Sequence, residues 1–298
     1  MLTVLEIIRR TTEFLEKREV ENPRLNAELL VGHSLGLPRM QLYLQFERPL
    51  TGLELEKLRP LVKRRGAREP LQYLTGETEF CGLKLKCDRR ALIPRPETER
   101  LVELVRERMA APPRQLLDLG TGSGAIALAL AKIHPEAKVT AVDRSAAALA
   151  LAQENAAACG LEGRVDFRQS DWFSALGAEK YDLIVANPPY LSDVELDATE
   201  PEVREHEPRE ALSAGPDGLA ALAWIIREAR VRLNDGGMLA LETGPTQHEQ
   251  LGGMIAAAGY ARSESVRDLA GRERYVLAFL LAGGGERSGA VGPVERIL

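Results

Sequence analysis

The stretch that decides the fold is QLLDLGTGSGAIALALAKIHP, residues 115–135, in which an apolar run is followed by three glycines and an Ala-rich segment. The short apolar run predicts a buried strand, and the longer apolar segment after the glycines predicts a helix. Glycines at 120, 122 and 124 permit a tight turn and let a ligand approach the backbone closely. The stretch therefore predicts a strand, a ligand-binding loop and a helix whose N-terminus favours an anionic group.

The same alternation of strand and helix continues towards the C-terminus. Apolar runs typical of strands occur in KVTAVD, RVDFRQ, YDLIVA and GGMLALET, and helical segments span 145–160 and 217–233. Strands that alternate with helices imply right-handed crossovers and a mostly parallel sheet. Residues 93–282 are therefore predicted to form an α/β, Rossmann-like doubly wound domain.

The other parts of the chain have different patterns. Residues 1–75 carry leucine and isoleucine at helical spacing, which predicts a small helical bundle. Residues 76–92 include TEFCGLKLKCDRRAL, whose alternation about a glycine predicts a β-hairpin that links two domains. The Gly-rich end, residues 283–298, has no period and is predicted to be a flexible tail.

Composition restricts the class of protein. The 298 residues are 45% hydrophobic and 28% charged, and no apolar run is long enough to span a membrane. The N-terminal residues lack a signal-peptide core, so a cytoplasmic location is expected. The three cysteines and four histidines form no metal-binding pattern, so no metal is expected.

Charge is distributed unevenly. Residues 1–75 have a net charge of +3, which leaves −8 for the remainder of a chain whose total is −5. The basic excess peaks in KRRGAR, residues 63–68, here called the basic cluster. It is either a solvated helix end or a docking surface for an acidic or phosphate-bearing partner.

Acidic residues near the glycines point to a nucleoside cofactor. Asp143 ends the second strand, where a carboxylate can bind both hydroxyls of a ribose. The spacing G-x-G-x-G differs from the G-x-G-x-x-G of pyrophosphate-binding loops, although a dinucleotide remains the alternative. Asp118 can help to fix the ammonium group of S-adenosylmethionine. After the third strand, Asp171 can accept from an adenine amino group, and Trp172 is either a cover for that ring or a core residue.

The fourth strand ends in NPPY, residues 187–190, where two prolines fix the backbone. The side-chain carbonyl of Asn187 and the backbone carbonyl of Pro188 can together accept both hydrogens of a planar –NH2 group, and Tyr190 adds an apolar face and a hydroxyl. The segment therefore predicts a clamp for an amino or amide nitrogen, with a strand-ending loop as the alternative. It contains no strong base, so catalysis by orientation and electrostatics is expected.

These motifs carry a family resemblance. DLGTGSGAIALALA together with NPPY resembles the S-adenosylmethionine-dependent N-methyltransferases, which act on DNA bases, ribosomal RNA or protein glutamine. LIPRPETE, residues 92–99, with the helical N-terminal part and the hairpin, is similar to the HemK/PrmC family of peptide chain release factor glutamine N5-methyltransferases. The resemblance spans residues 1–282. It implies a seven-stranded methyltransferase domain, S-adenosyl-L-methionine as cofactor, and the Gly-Gly-Gln glutamine of class 1 peptide chain release factors as substrate. It also implies that the N-terminal domain helps to bind the release factor.

The resemblance also assigns site residues by motif. It places at the cofactor Gly120, Thr121, Gly122, Ser123, Gly124, Asp143, Trp172 and Asn187, to which the chemistry of the residues adds Asp118 and Asp171. It places at the substrate Arg95, Pro96, Glu97, Asn187, Pro188, Pro189 and Tyr190, with Asn187, Pro188 and Tyr190 as the catalytic set. One departure is His206, which precedes Glu207-Pro208 where family members often carry an aromatic residue, and which we expect on the surface of a lid.

Three other functions compete with this one. A DNA or RNA base amino-group N-methyltransferase could use the same clamp, but such enzymes usually carry a broad basic face, and the catalytic part here is net negative. A nucleotide-dependent oxidoreductase is disfavoured by the loop spacing. A non-catalytic helical docking protein is disfavoured by the intact NPPY segment. We therefore expect no direct nucleic-acid partner and no membrane association.

Overall fold

The computed structural model describes residues 2–215, 218–283 and 295–296 of the chain. Two compact units are present. The first comprises Met1–Glu77, Cys87–Arg89 and Thr199–Glu207, and the second comprises Thr78–Lys86, Arg90–Ala198 and Pro208–Leu298. The first unit thus contains two segments from later in the chain that the predicted 1–75 domain did not include. Most of the predicted flexible tail lies outside the described residues.

The secondary structure is as follows. The helices are α1 Val4–Glu16, α2 Pro23–Leu35, α3 Arg39–Tyr43, α4 Gly52–Gly66, α5 Leu71–Thr75, α6 Pro96–Arg108, α7 Ala125–Ile133, α8 Ala146–Ala158, α9 Asp193–Asp197, α10 Pro201–His206, α11 Ala220–Arg232 and α12 His248–Ala257. The strands are β1 Glu77–Phe80, β2 Leu83–Lys86, β3 Gln115–Leu119, β4 Lys138–Asp143, β5 Val165–Gln169, β6 Tyr181–Ala186, β7 Leu233–Glu242, β8 Arg262–Arg267, β9 Glu273–Phe279 and β10 Glu295–Arg296. No helix among the described residues is long and apolar enough to cross a membrane.

The first unit is a helical bundle, as predicted. Thr3 and Thr51 each begin a helix with a capping box, in which the hydroxyl accepts from the backbone of the third residue and that residue's glutamate accepts from the threonine N–H. Helices α1, α2 and α4 then bury one apolar face each in a common core that includes Val4, Leu30 and Leu58. The helical spacing of the sequence therefore reflects packing of these helices against one another.

Ion pairs engage much of the basic cluster inside the first unit. Buried Arg65 donates to Glu202 at 2.8 Å, and Arg68 pairs with both Glu202 and Glu200 at 2.7 Å. Arg64 pairs with Glu69 at 2.7 Å. The basic cluster is therefore neither a fully solvated helix end nor a fully open docking surface, because three of its guanidinium groups bind carboxylates of the same unit.

The second unit is a doubly wound α/β domain, which confirms the predicted fold class. Its sheet has the order β10-β8-β9-β7-β6-β3-β4-β5. The five strands from β7 to β5 are parallel, β9 is antiparallel to both β7 and β8, and the two-residue β10 is parallel to β8. Seven strands and the short β10 thus form a mainly parallel sheet. Helices α6, α7 and α8 cover one face, and α11 and α12 cover the other.

The predicted hairpin, β1 and β2, packs as part of the second unit. Phe80, Leu83 and Leu85 lie in the same core cluster as helices α6 and α7. The Lys86 N–H donates to the Asn155 side chain on α8 at 2.7 Å. The hairpin is therefore held by the core of this unit instead of forming an unpacked link.

Strand register brings three loop starts to one edge of the sheet. Leu119 at the end of β3 pairs with Val142 on one side and with Ala186 at the end of β6 on the other. The loops that follow β3, β4 and β6 therefore leave the sheet at the same level. In open α/β sheets the carboxyl edge is where ligands bind.

Candidate active site

A cavity of about 680 Å³ opens at this carboxyl edge and lies within the second unit. Its volume is within the range of small-molecule sites. The sequence-predicted residues that line it are Arg95, Gly120, Thr121, Gly122, Ser123, Asp143, Asp171, Trp172, Asn187 and Pro189. Further lining residues include Thr98, Arg144, Ser145, Pro208, Glu210 and Trp224. The cavity thus unites the glycine loop, residues 120–124, with the end of β6.

The glycine loop is held against β4. The N–H groups of Gly120 and Thr121 both donate to the Val142 carbonyl at 2.9 Å. Gly122 lines the cavity and has a φ of 56°, a backbone angle that residues with a side chain rarely adopt. Gly124 lies behind the loop at the start of α7, where an added Cβ would lie 3.1 Å from the Cβ of Ala152. The first two glycines therefore shape the cavity wall, and the third lets α7 approach α8.

Asp143 is oriented by the backbone on both sides of it. One carboxylate oxygen accepts the Gly122 N–H at 2.9 Å, and the other accepts the Ser145 N–H at 2.8 Å. Asp143 lines the cavity and is half-buried. Because each oxygen retains lone pairs for further donors, the carboxylate can bind ligand hydroxyl groups in a fixed direction.

Asp118 lies beneath the glycine loop and is not among the residues that line the cavity. Its Oδ2 accepts from the Thr121 hydroxyl at 2.6 Å and from the Ala127 N–H at 3.1 Å. Burial raises the pKa of this carboxyl to about 7, although these two hydrogen bonds act to lower it. Its Oδ1 is buried and has no hydrogen-bond partner among the described residues. A buried, unpartnered carboxylate oxygen suits a cationic ligand group.

The segment after β5 supplies an aromatic wall. Trp172 has a φ of 50°, and its indole ring lies 3.5 Å from the position that a Cβ on Gly120 would take. A left-handed backbone at tryptophan is uncommon, and here it turns the ring to the glycine loop. Asp171 beside it is exposed. Trp224 on α11 also lines the cavity, and its ring centroid lies 5.6 Å from that of Phe173. The sequence did not indicate that Trp224 belongs to the site.

The NPPY segment divides between the cavity and the protein interior. Asn187 and Pro189 line the cavity, whereas Pro188 is buried and the half-buried Tyr190 lies outside the lining. The side-chain N–H₂ of Gln247 donates to the Tyr190 carbonyl at 3.0 Å and to the Gly218 carbonyl at 3.1 Å. The backbone of the segment is thus fixed from behind by a side chain as well as by its prolines.

A buried polar network supports the same segment. Asn187 Nδ2 donates to Thr98 Oγ1 at 3.2 Å, and Thr98 Oγ1 donates to Glu242 at 2.7 Å. Tyr190 donates to the other oxygen of Glu242 at 3.3 Å, and Arg274 donates to the Tyr190 hydroxyl at 3.1 Å. Burial raises the pKa of the Glu242 carboxyl, while the bond from Thr98 and the charge of Arg274 act to lower it. Burial also raises the pKa of Tyr190.

Sequence reasoning missed Thr98, Glu242 and Arg274. A signal for Glu242 was available, because it ends the apolar run GGMLALE just as Asp143 ends KVTAVD. Thr98 stands inside the predicted RPETE motif but was not singled out. Arg274 lies at the start of β9, directly before the apolar run YVLAF, which was not assigned to a strand from the sequence.

The RPETE residues separate in the structure. Arg95 occupies the N-cap position of α6, without a capping hydrogen bond from its side chain, and lines the cavity. Pro96 is the exposed first residue of that helix, and Glu97 lies in its first turn, where its carbonyl accepts from the Tyr275 hydroxyl at 2.7 Å. Only Arg95 of the three predicted residues therefore lines the cavity, and the other two form the start of α6.

The predicted lid residue His206 ends α10 in the first unit. Its Nδ1 lies 3.2 Å from the Arg89 guanidinium. Among the described residues, no cluster of three or more histidine, cysteine, aspartate or glutamate side chains could hold a metal ion. The polar side chains that line the cavity carry carboxylate, amide, hydroxyl and guanidinium groups.

Comparisons with known proteins agree with this architecture. A model of the PrmC N-terminal domain matches residues 6–76, and a model of the methyltransferase small domain matches residues 97–205. The solved structure of a methyltransferase from Pyrococcus furiosus has a TM-score of 0.52 at 19% identity and covers 67% of this chain and 90% of that chain. At this identity the likeness concerns the fold alone.

Curated relatives are closer. A release factor glutamine methyltransferase from Geobacter sulfurreducens is 44% identical over 274 residues, which cover 92% of this chain and 95% of the relative. The protein of that name from Salmonella typhimurium is 44% identical over 257 residues, which cover 86% of this chain and 92% of the relative. Both matches extend over the helical unit as well as the sheet unit. The chain therefore belongs to the release factor glutamine methyltransferase family.

Proposed function

We propose that this protein transfers a methyl group from S-adenosyl-L-methionine to the side-chain amide nitrogen of the glutamine in the Gly-Gly-Gln motif of class 1 peptide chain release factors. The observation that carries the proposal is that one cavity contains both a glycine loop braced by Asp143 and an Asn187 amide held by a buried network. Family membership supplies the substrate, since the relatives are named for glutamine methylation of release factors.

The cavity residues fit the proposed cofactor. The Asp143 carboxylate would bind the ribose hydroxyls, and Trp172 would lie against the adenine ring. The unpartnered oxygen of Asp118, which is buried beneath the loop and does not line the cavity, would attract the ammonium group through its charge. The cofactor would supply an electrophilic methyl group on a sulfonium sulfur. S-Adenosylmethionine carries no phosphate, and its binding as proposed here uses neither a metal ion nor a phosphate-binding lysine.

The NPPY segment would orient the nucleophile. An amide nitrogen is a weak nucleophile because its lone pair is delocalised into the carbonyl. Asn187 Oδ1 and the Pro188 carbonyl would each accept one N–H of the glutamine amide and hold the nitrogen in line with the methyl group. The same oxygens would stabilise positive charge that develops on the nitrogen. The S–CH3 bond would break as the N–CH3 bond forms, which leaves a neutral thioether, and the methylated nitrogen would then lose its extra proton to water, so no side-chain base is required.

We also propose that the first unit contributes to docking of the release factor. The motifs that carry chemistry lie in the second unit, while the family resemblance gives the helical unit a role in substrate binding. Arg65 and Arg68 are occupied by carboxylates, so the docking surface would involve other side chains of this unit.

A single assay separates the proposed function from its alternative, base methylation of DNA or RNA. Radiolabelled S-adenosylmethionine is incubated with the protein and, in parallel, with a class 1 release factor, the same factor with Gln replaced in Gly-Gly-Gln, total RNA and duplex DNA. We expect label in the intact release factor alone. Label in nucleic acid would favour the alternative, and equal labelling of the substituted factor would exclude that glutamine as the acceptor.

A further inference from the structure

The network of hydrogen bonds behind Asn187 is built from buried polar side chains, which support of the backbone alone does not require. Glu242 is only 2% exposed and Thr98 only 5%, yet both are polar and neither is among the predicted site residues. Thr98 lies at the start of α6 and Glu242 at the end of β7, so two residues 144 positions apart are hydrogen-bonded to each other, and Thr98 also contacts the Asn187 amide. Buried polar groups of this kind are placed by hydrogen bonds, so the direction of each bond can be followed.

The direction of each hydrogen bond follows from Arg274. A guanidinium only donates, so the Tyr190 hydroxyl accepts from Arg274 and its own hydrogen goes to Glu242. Burial raises the pKa of Glu242, while the bond from Thr98 and the charge of Arg274 act to lower it. In the hydrogen bonds of the structure both carboxyl oxygens accept, one from Thr98 and one from Tyr190. The single hydrogen of the Thr98 hydroxyl is therefore used for Glu242 at 2.7 Å.

Thr98 can therefore only accept a hydrogen bond from Asn187, because its own hydrogen is donated to Glu242. The amide must present Nδ2 to Thr98, as the 3.2 Å contact shows. Oδ1 is at the other end of the amide, and Asn187 lines the cavity. The oxygen and the nitrogen of an asparagine amide have nearly the same shape, so packing alone does not select between the two orientations. Hydrogen bonding is what distinguishes them.

We infer that Thr98 and Glu242 are positioning residues that hold Asn187 with its carbonyl oxygen, and not its amino group, available to the substrate. This inference rests on the proposed function, in which Asn187 must accept an N–H. In the reversed orientation Asn187 would present N–H₂ to the N–H₂ of the substrate, so that two donors would face each other. Glu242 acts through Thr98 on Asn187 and through its other oxygen on Tyr190.

The test is a set of variants assayed in the full-length protein. Thr98→Val has the same shape but no hydroxyl, so Asn187 loses the bond that selects its orientation. We expect the single-turnover rate of release factor methylation to fall about 10- to 100-fold, since small misplacements of reacting groups cost up to about 10² in rate. Thr98→Ser restores the hydroxyl and is expected to retain most of the wild-type rate. Cofactor affinity measured by calorimetry should be the same in all three proteins.

A double-mutant cycle separates positioning from general support. In an Asn187→Ala background there is no amide to orient, so Thr98→Val should reduce the rate by less than about twofold; independent structural effects would instead multiply. Glu242→Gln provides a second variant, because Thr98 and Tyr190 donate to different oxygens of Glu242 and glutamine replaces one of these acceptors with an NH2 donor. We expect slower turnover with unchanged cofactor affinity.

The possible outcomes are distinct. Wild-type rates in Thr98→Val and Glu242→Gln, or losses that multiply fully with that of Asn187→Ala, would overturn the positioning role while leaving the proposed function intact. Failure of the wild-type protein to methylate the release factor would overturn the proposed function and the positioning role with it. Loss in Thr98→Val, recovery in Thr98→Ser and a non-additive cycle would support the inference.

Discussion

The Arg65 guanidinium and the Glu202 carboxylate lie 2.8 Å apart although 137 residues separate them in the chain. Arg65 also donates to the Asn26 side chain at 2.8 Å and to the Glu69 carbonyl at 3.2 Å. Glu202 belongs to α10, a segment that follows the NPPY segment in the chain but packs within the helical unit. This ion pair is therefore part of what joins α10 to that unit.

Removal of the Glu202 side chain is expected to destabilise the helical unit. Glu202→Ala leaves a buried guanidinium without its carboxylate, and breaking a buried pair in this way costs about 3–5 kcal/mol. Hydrogen exchange of the full-length protein, measured by mass spectrometry, should show faster exchange in peptides from α4. Both tryptophans lie in the other unit, so fluorescence would not report this change.

Glu200→Ala is the matched control for this measurement. Glu200 also binds a cluster arginine, Arg68, but its side chain is 65% exposed. Exposed pairs contribute about 0–1 kcal/mol, so α4 should keep its protection in this variant. Equal protection of α4 in wild type and Glu202→Ala would show that the pair does not hold α10 in place.

The sequence predicted the parts of the fold that depend on local pattern. Apolar runs and glycines identified β3, β4, β5 and β6 and the loop after β3, because period and turn chemistry act over a few residues. Strands β8 and β9 were missed for different reasons: β8, RSESVR, has the mixed polarity of a loop, whereas the apolar run YVLAF of β9 was present in the sequence but was not assigned to a strand. The placement of α10 was missed because it depends on a tertiary ion pair.

The candidate site shows the same division. Asp143 and Asn187 end strands and were predicted from that position alone. The burial of Asp118 beneath the loop could not be predicted, because it depends on where α7 packs. The contact of Thr98 with Glu242 is likewise tertiary, and no spacing in the sequence relates a helix start to a strand end 144 residues later.

Asp143→Ala is expected to weaken cofactor binding. The carboxylate has two proposed hydroxyl partners, and hydrogen bonds to charged groups contribute about 1.5–3 kcal/mol each. A loss of about 3 kcal/mol corresponds to roughly a 100-fold rise in Kd. The variant also loses the acceptor for the Gly122 and Ser145 N–H groups, which should loosen the loop.

Calorimetry with S-adenosylmethionine measures this effect. Asp166→Ala is the control, because Asp166 is an exposed carboxylate on the adjacent strand β5 that pairs with Arg168 and does not line the cavity. Its Kd should match that of the wild type. An unchanged Kd in Asp143→Ala would remove Asp143 from the binding site.

Asp118→Asn is expected to separate stability from cofactor binding. The pKa of Asp118 is raised to about 7 from a usual value of 3.8, mainly by burial. Because the pKa is higher in the folded state, the protonated Asp118 carboxyl contributes fully to stability below about pH 4. That contribution is lost as the pH rises through 7 and the buried carboxyl ionises. The neutral variant avoids this loss, so its Tm should exceed that of the wild type at pH 8 and approach it at pH 5.

Cofactor affinity should change in the opposite sense. In the wild type, binding of a cationic ammonium should strengthen as the pH rises through about 7 and Asp118 ionises. In Asp118→Asn the Kd should be higher than in the wild type at pH 8. It should also lack the decrease that ionisation of Asp118 causes in the wild type as the pH rises through about 7. Identical Kd profiles for the two proteins between pH 6 and 8 would exclude Asp118 from recognition of the ammonium group.

Asn187→Ala is expected to fold normally and to lose about 10²–10³ in turnover, the usual effect of removing one electrostatic contact to a developing charge. Asn187→Asp keeps an acceptor oxygen but loses the N–H that Thr98 accepts, and its negative charge attracts a sulfonium more strongly before transfer than after it. Its rate should therefore lie between those of Ala and Asn.

Asn234→Ala is the control, because Asn234 also donates through Nδ2 to a side chain, Asp182 at 2.7 Å, but does not line the cavity. The measurement is single-turnover methylation of a release factor at saturating cofactor. A wild-type rate in Asn187→Ala would mean that the NPPY segment does not act as a clamp for the amide and that its two prolines serve only to end β6.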